Sequence, residues 1–132
     1  MSFLLDTNIC SSHIRRPAGL AHRFMQHSGR LWMSSVVLAE LYAGAYMLDH
    51  PDKILAGIDE LKKDVGVLPY DERCAEEFGK LRGILKRQGV VANPVDLMIA
   101  SVARVHDLTL VTNNTADFQF IPKLRLEDWL TP

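Results

Sequence analysis

The segment LWMSSVVLAELYAGAYML, residues 31–48, decides the fold. Leu31 to Met33 has strand length, the remainder carries a helical pattern, and Ser34-Ser35 between them supplies hydroxyls suited to a helix N-cap. A strand running straight into a helix is the repeating unit of an α/β protein. The segment is also nearly long enough to span a bilayer, but Glu40 stands at its centre with Ser34, Ser35 and Gly44 nearby, and a carboxylate in mid-membrane is costly. A core helix is the reading adopted. At roughly 100° per residue, Val36, Glu40, Ala43, Gly44 and Met47 share one face. The pattern therefore predicts that Glu40 points among apolar side chains, where an unpaired carboxylate is strongly unfavourable or takes up a proton.

The same alternation extends in both directions. Phe3 to Leu5, Val65 to Leu68 and Leu108 to Val111 are further apolar runs of strand length, and Leu124 to Trp129 could add a short edge strand. Asp6-Thr7-Asn8 offers cap chemistry for a first helix, Ser34-Ser35 for a second, and Pro51-Asp52 opens a third. Pro69-Tyr70-Asp71 precedes a long helix, Glu72 to Gln88, that Gly89 can stop, and Pro94 suits the first turn of a helix running to about Val105. Strands alternating with helices predict a three-layer α/β/α sandwich around a central, mostly parallel sheet of four to five strands. No internal repeat or low-complexity tract interrupts it.

At 132 residues the chain is expected to form one domain, 1–132, with a single core. With 48% hydrophobic residues, 23% charged residues and a formal charge of −1, the composition excludes a disordered chain and a broadly basic nucleic-acid clamp. Cys10 and Cys74 lack the spacing of a zinc or redox pair and read as reduced, small hydrophobes. The N-terminus reaches Asp6 without a cationic start and a long apolar run, so the expectation is a cytoplasmic protein with no membrane segment. The five histidines are scattered without ligand spacing, and Trp32, Tyr42 and Tyr46 read as core or subunit-interface residues.

Glu40 is not the only isolated acid. Asp6 is the sole charged side chain from Met1 to Ser12, Asp96 the sole one between Arg87 and Arg104, and Asp117 the sole one between Asp107 and Lys123. The other acids cluster with opposite charges, as in DELKKD, in the manner of a solvated helix face. Taken singly, Asp6 could be a helix cap, Asp96 a partner of a helix macrodipole and Asp117 a turn former. Glu40 serves neither cap nor turn, and its plain alternative is an ion pair with a distant Lys or Arg. Taken together, Asp6, Glu40 and Asp117 each follow a strand, and the carboxyl ends of parallel strands form the edge where α/β proteins bind ligands. Asp96, in the first turn of its helix, could reach that edge from the side. Carboxylates gathered there would repel one another unless cations neutralised them, and an all-oxygen ligand set suits Mg²⁺ or Mn²⁺.

With LLDTN at the N-terminus, SSVVLAELYAG in the second unit, NPVDLMIASVA in the late helix and LVTNNTADF after the last long strand, the chain resembles the PIN-domain ribonucleases, and more narrowly the VapC-type toxins of toxin–antitoxin pairs. The motifs occur in family order, and the likeness runs to the closing LRLEDW. The resemblance implies a metal-dependent endoribonuclease whose catalytic and metal-binding acids are Asp6, Glu40, Asp96 and Asp117. It also implies supporting polar positions at Asn8, Ser34, Thr112, Asn113 and Asn114. Such a site would hold one Mg²⁺ or Mn²⁺ ion, or two at roughly 3.5–4 Å. Pro94-Val95 stands where many relatives carry glycine or polar residues.

The resemblance further implies an RNA substrate, a homodimer or higher toxin–antitoxin assembly, and a cognate VapB-type antitoxin whose tail blocks the acidic cleft. Apolar surface around Ile9, Ile14, Phe24 and Tyr46 would suit that antitoxin. RNA phosphates need cations near the cleft, for which Arg15, Arg16, Arg82 and Lys86 are candidates; each could equally belong to a solvated helix face. Rival readings are an RNA-processing PIN nuclease that is not a toxin, a PIN-like binding module without activity, and a Mg²⁺-dependent phosphatase or phosphoacceptor domain. The last expects a second acid close to the first, where this chain has D-T-N.

Overall fold

The computed structural model describes residues 1–131. Its strands are β1 (Phe3–Leu5), β2 (Leu31–Ser34), β3 (Gly66–Leu68), β4 (Thr109–Val111) and β5 (Leu126–Glu127). Its helices are α1 (Thr7–Arg15), α2 (Pro17–Gln26), α3 (Ser35–Tyr46), α4 (Asp52–Asp64), α5 (Glu72–Arg87) and α6 (Pro94–Val105), with a 3₁₀ turn at Thr115–Asp117. Every strand pair is parallel and the order is β3-β2-β1-β4-β5.

The central strands are buried on both faces, which is why FLL and TLV are short continuous runs without alternation. Right-handed crossovers carry the chain outward from β1 to β3 over one face and back to β4 over the other. The helices therefore form two outer layers, α1 to α4 on one side and α5 packed on α6 on the other. The direction of strand addition reverses between β1 and β4, and it is at the carboxyl ends of strands at such a point that open α/β sheets bind ligands.

The expected caps are present. Asp6 accepts from the Thr7 N–H, Ser34 from Val37 and Asp71 from Cys74, while Gly89, at φ +72°, follows the end of α5 in a conformation that glycine adopts without strain. The last helix has the predicted bounds, Pro94–Val105, with Asn93 as its cap.

Three expectations are corrected. The first unit holds two helices where the cap at Asp6 announced one: Pro17 cannot continue α1 and forces Arg16 out of helical conformation, to φ −140° and ψ 71°. The closing strand shrinks to Leu126–Glu127, because Asp128 turns the chain by accepting from the Leu130 and Thr131 N–H groups. Ile9 and Phe24 offer no surface to a partner, since both are buried and Phe24 stacks on His13 at 3.7 Å between ring centroids.

At the opposite edge, β3 lies so close to β2 that a Cβ on Gly66 would stand 2.5 Å from the Trp32 ring. At the closing end, Trp129 packs edge-on against Phe3, stacks with His27 and donates its indole N–H to Glu127 at 3.0 Å. Among the described residues, no helix is long and apolar enough to cross a membrane.

Candidate active site

The carboxyl ends of β1 and β4 are organised around Asp6. Its backbone N–H continues the sheet by donating to the Val111 carbonyl. Its side chain is buried, with one oxygen accepting from the Thr7 N–H at 2.8 Å and the other from the Thr112 hydroxyl at 2.8 Å. Burial pushes the Asp6 carboxyl above its usual value; the two hydrogen bonds oppose that, and the charges of Glu40 and Asp117 add to it.

Thr112 is fully buried at the end of β4 and holds more than Asp6. Its hydroxyl oxygen accepts from the Asn8 amide at 3.4 Å and from the Asn114 N–H at 3.0 Å, while Asn8 accepts in turn from the Asn113 N–H at 3.2 Å. The Thr131 hydroxyl donates to the Asn113 side chain at 3.1 Å, so the closing segment reaches the same network. The D-T-N after β1 and the T-N-N after β4 are thus laced together side by side.

Asp96 sits at the third position of α6, below the cap formed when Asn93 accepts from the Val95 and Asp96 N–H groups. Partial burial, then the charges of Asp6, Asp117 and Glu40, push its carboxyl up to about 6. Asp117 ends the 3₁₀ turn and is exposed. The four solitary acids, from four separate segments, therefore lie within electrostatic reach of one another. Among the described residues, none of them is in an ion pair with Lys, Arg or His. Nor do any three described His, Cys, Asp or Glu side chains stand close enough to enclose a metal ion between them.

The orientation of Glu40 is corrected. Val37, Leu41 and Ala45 form the buried stripe of α3, and Glu40, Ala43, Gly44 and Met47 lie on its exposed side. Glu40 escapes desolvation, and the Thr7 hydroxyl donates to its Oε1. Thr7 was not singled out from the sequence, although D-T-N placed it there; only the approach of α3 to α1 shows its use. Ser34 is fully buried, and its hydroxyl serves as the cap of α3, 3.1 Å from the Val37 N–H. Cys10, one turn into α1, is buried, and burial pushes its thiol up, in keeping with a small hydrophobe.

Two clefts flank the acids. One, of about 330 Å³, lies between α1, α3 and α4 and is lined by Arg15, Glu40, Ile14, Leu48 and Ile54 among others. The other, of about 320 Å³, includes Asp96 and Asp117 in its wall. Of the cationic candidates only Arg15 lines a cleft beside the acids; Arg16 is the exposed link between α1 and α2, and Arg82 and Lys86 are exposed on α5 and line neither cleft. Glu76 and Glu77, on the same helix, pair with Lys80 and Arg104. Tyr46 and Met47 are open to solvent at the end of α3, 66% and 81% exposed, while Trp32 and Tyr42 pack partly against the core.

The PIN domain family model matches residues 3–124. Similar curated proteins include the tRNA(fMet)-specific endonuclease VapC of Shigella flexneri, 42% identical over 130 residues, and ribonuclease VapC2 of Haemophilus influenzae, 36% identical over 131. The first alignment spans 98% of each chain; the second spans 98% of this chain and 99% of the relative. Among solved structures, DNA-bound VapBC from Salmonella typhimurium superposes with a TM-score of 0.92 at 38% identity over 98% of both chains. VapBC2 from Rickettsia felis, bound to a DNA fragment from the promoter, superposes with a TM-score of 0.90 at 32% identity over 98% of this chain and 99% of that one. Matched along nearly its whole length in sequence and in fold, this chain belongs to the PIN-domain family, among the VapC-type ribonucleases.

Proposed function

We propose that the chain is a divalent-metal-dependent endoribonuclease, the toxin of a type II toxin–antitoxin pair, acting in the cytoplasm as a single catalytic domain that hydrolyses RNA phosphodiester bonds at Asp6, Glu40, Asp96 and Asp117. The observation that supports this reading is that these four acids, from four separate segments, lie within electrostatic reach of one another and that, among the described residues, none is in an ion pair with Lys, Arg or His. Two of them, Asp6 and Asp96, have carboxyls pushed up by burial and by their neighbours, a cost expected at a site built for a charged ligand.

The donor set fits Mg²⁺ or Mn²⁺: oxygen only, acidic and uncompensated. Because no three acids among the described residues surround one point, the fit is to an ion held directly by one or two carboxylates with waters completing its shell, a common arrangement for Mg²⁺. Asp6 and Asp96 are the candidates for direct contact, with Glu40 and Asp117 orienting the waters. Such an ion supplies charge neutralisation at the phosphate and acidifies a nearby water.

The protein's own groups do the positioning. Thr112 and the Thr7 N–H fix both oxygens of Asp6, the Thr7 hydroxyl fixes Glu40, and Asn8 ties the first motif to Asn113 and Asn114. The Thr112 hydroxyl and the Thr7 N–H favour the charged form of Asp6 and so oppose the upward push of burial. Arg15, at the cleft that Glu40 also lines, is the side chain suited to draw an RNA phosphate toward the acids.

Two solved neighbours that superpose with TM-scores of 0.92 and 0.90 are VapBC complexes, which supports a VapB-type antitoxin for this chain. The cleft between α1, α3 and α4, apolar at Ile14, Leu48 and Ile54 and reaching Glu40, is suited to a segment that blocks the acids. The exposed end of α3 at Tyr46 and Met47 is suited to a homodimer contact. The name of the Shigella flexneri relative makes tRNA(fMet) the first RNA to test. The test is cleavage of purified RNA with Mg²⁺ or Mn²⁺, with chelator, and by Asp6→Asn and Asp96→Asn proteins. Cleavage is expected only from the unaltered chain with metal; cleavage by folded Asp96→Asn protein refutes the assignment. Growth arrest on induction, relieved by the partner, separates a toxin from an RNA-processing nuclease.

A further inference from the structure

The second cleft shares Asp96 and Asp117 with the mechanism above, but its other walls have no part in it. Val91, Ala92 and Asn93 bring the chain into α6, Asp96 lies on its first turn, and Asp117 and Phe120 follow the 3₁₀ turn; together they line a cavity of about 320 Å³. Its chemistry is the opposite of the cleft at Glu40. No Lys or Arg lines it, its two acids repel phosphate, and its remaining walls are the half-buried Phe120 side chain, Ala92 and a Val91 that is 95% exposed.

Besides the two acids, one neutral polar side chain lines that wall. Asn93 uses its carbonyl oxygen to cap α6, accepting from Val95 N–H at 2.9 Å and Asp96 N–H at 3.2 Å, so its amide NH₂ is the part offered to a ligand. Beside the acids, the Phe120 ring, the Val91 side chain and one neutral donor suit an unpaired nucleobase, which stacks on apolar or aromatic faces and presents carbonyl or ring-nitrogen acceptors. Since Asp96 and Asp117 belong to the same wall, a base seated there belongs to a nucleotide adjoining the phosphate under attack.

We propose that this cavity is the nucleobase subsite that sets where the chain cuts RNA, with Phe120 and Val91 as its walls and the Asn93 amide as donor to the base. The inference rests on the nuclease reading and deepens it. Phe120→Leu keeps apolar bulk but removes the flat ring. Asn93→Ser keeps a capping oxygen, at which Asn and Ser are about equally good, but removes the NH₂.

The experiment is cleavage of short single-stranded RNAs randomised around one cut position, with Mn²⁺, by the unaltered chain and both variants, with ends mapped by sequencing and folding checked by circular dichroism. The unaltered chain is expected to prefer certain bases at one position flanking the cut, and both variants to flatten that preference at the same position. An abasic nucleotide there should raise KM for the unaltered chain by about tenfold and for the variants by less, with kcat little changed. If Phe120→Leu fails to fold, Asn93→Ser carries the test. If cuts require Asp96 but folded variants keep the full preference and the full abasic penalty, the subsite is refuted and the nuclease reading stands. If the unaltered chain makes no cut that Asp96→Asn protein lacks, both fall.

Discussion

Replacing Asp96 by Asn should raise the stability of the metal-free protein while removing its activity. The Asp96 carboxyl is pushed up to about 6 from 3.8, first by burial and then by the charges of Asp6, Asp117 and Glu40. At about 1.4 kcal/mol per pH unit, that displacement corresponds to roughly 3 kcal/mol of unfavourable ionisation at neutral pH. The group is only half-buried at an open cleft, so solvent screening reduces this to about 1.5 kcal/mol. Loss of a charge near the α6 N-terminus gives back about 0.3–1 kcal/mol through the helix dipole. A net gain of about 0.5–1.2 kcal/mol remains, or roughly 2–6 °C in Tm for a domain of this size.

The pH dependence has a definite sign. The folded pKa lies above the unfolded one, so ionised Asp96 destabilises the fold above about 6, and the penalty is relieved as pH falls through 6 toward 3.8. The advantage of Asp96→Asn should therefore be full at pH 7.5 and vanish near pH 4. The assay is thermal unfolding in chelator across this range, repeated with Mg²⁺. The ion should raise the Tm of the unaltered chain more than that of the variant, since only ligands bound to the folded state stabilise it. A variant that melts below the unaltered chain at pH 7.5 in chelator, or an advantage that stays flat with pH, refutes this reasoning.

Thr112→Val removes the hydroxyl that donates to Asp6, so the Asp6 carboxyl should rise further and the acidic limb of the cleavage pH profile should move to higher pH, with a stability loss of about 1–3 kcal/mol in urea titration. Gly66→Ala drives a Cβ into the Trp32 ring and should cost about 1–3 kcal/mol without altering metal affinity; an unchanged unfolding midpoint contradicts the close packing of β2 and β3. Arg15→Ala should lower the slope of RNA affinity against salt by about 0.7, whereas Arg82→Ala and Lys86→Ala should leave it unchanged, because neither lines a cleft at the acids. Glu40→Gln should weaken Mn²⁺ binding in calorimetry without the stability gain of Asp96→Asn, since Glu40 is exposed; equal gains from the two variants contradict the orientation of α3.

Local chemistry made most elements readable in advance. Asp6, Ser34 and Asp71 cap helices through their own side chains, and Pro94 and Gly89 act within a residue or two of where they stand. The missed break at Pro17 was legible by the same logic: a proline and the residue before it interrupt any helix pattern. The error at Glu40 is of another kind. Because α3 is apolar nearly all round, periodicity cannot say which side faces the sheet; the interior took Val37, Leu41 and Ala45, and Glu40 faces solvent beside Thr7.

The sequence by itself determined the order of strands and helices, because caps, breakers and apolar runs act over a few residues. It also isolated the four acids, because charges without local partners stand out against surface clusters. Tertiary structure alone decided that the four lie within electrostatic reach of one another. The parallel pairing of β1 with β4 brings the Thr112 hydroxyl to Asp6 across more than a hundred residues of chain, and it sets Asp96 and Asp117 beside the same cavity as Asn93 and Phe120. Such contacts depend on which strands pair and which helix faces meet, and those choices are made by packing the whole core rather than by any one segment.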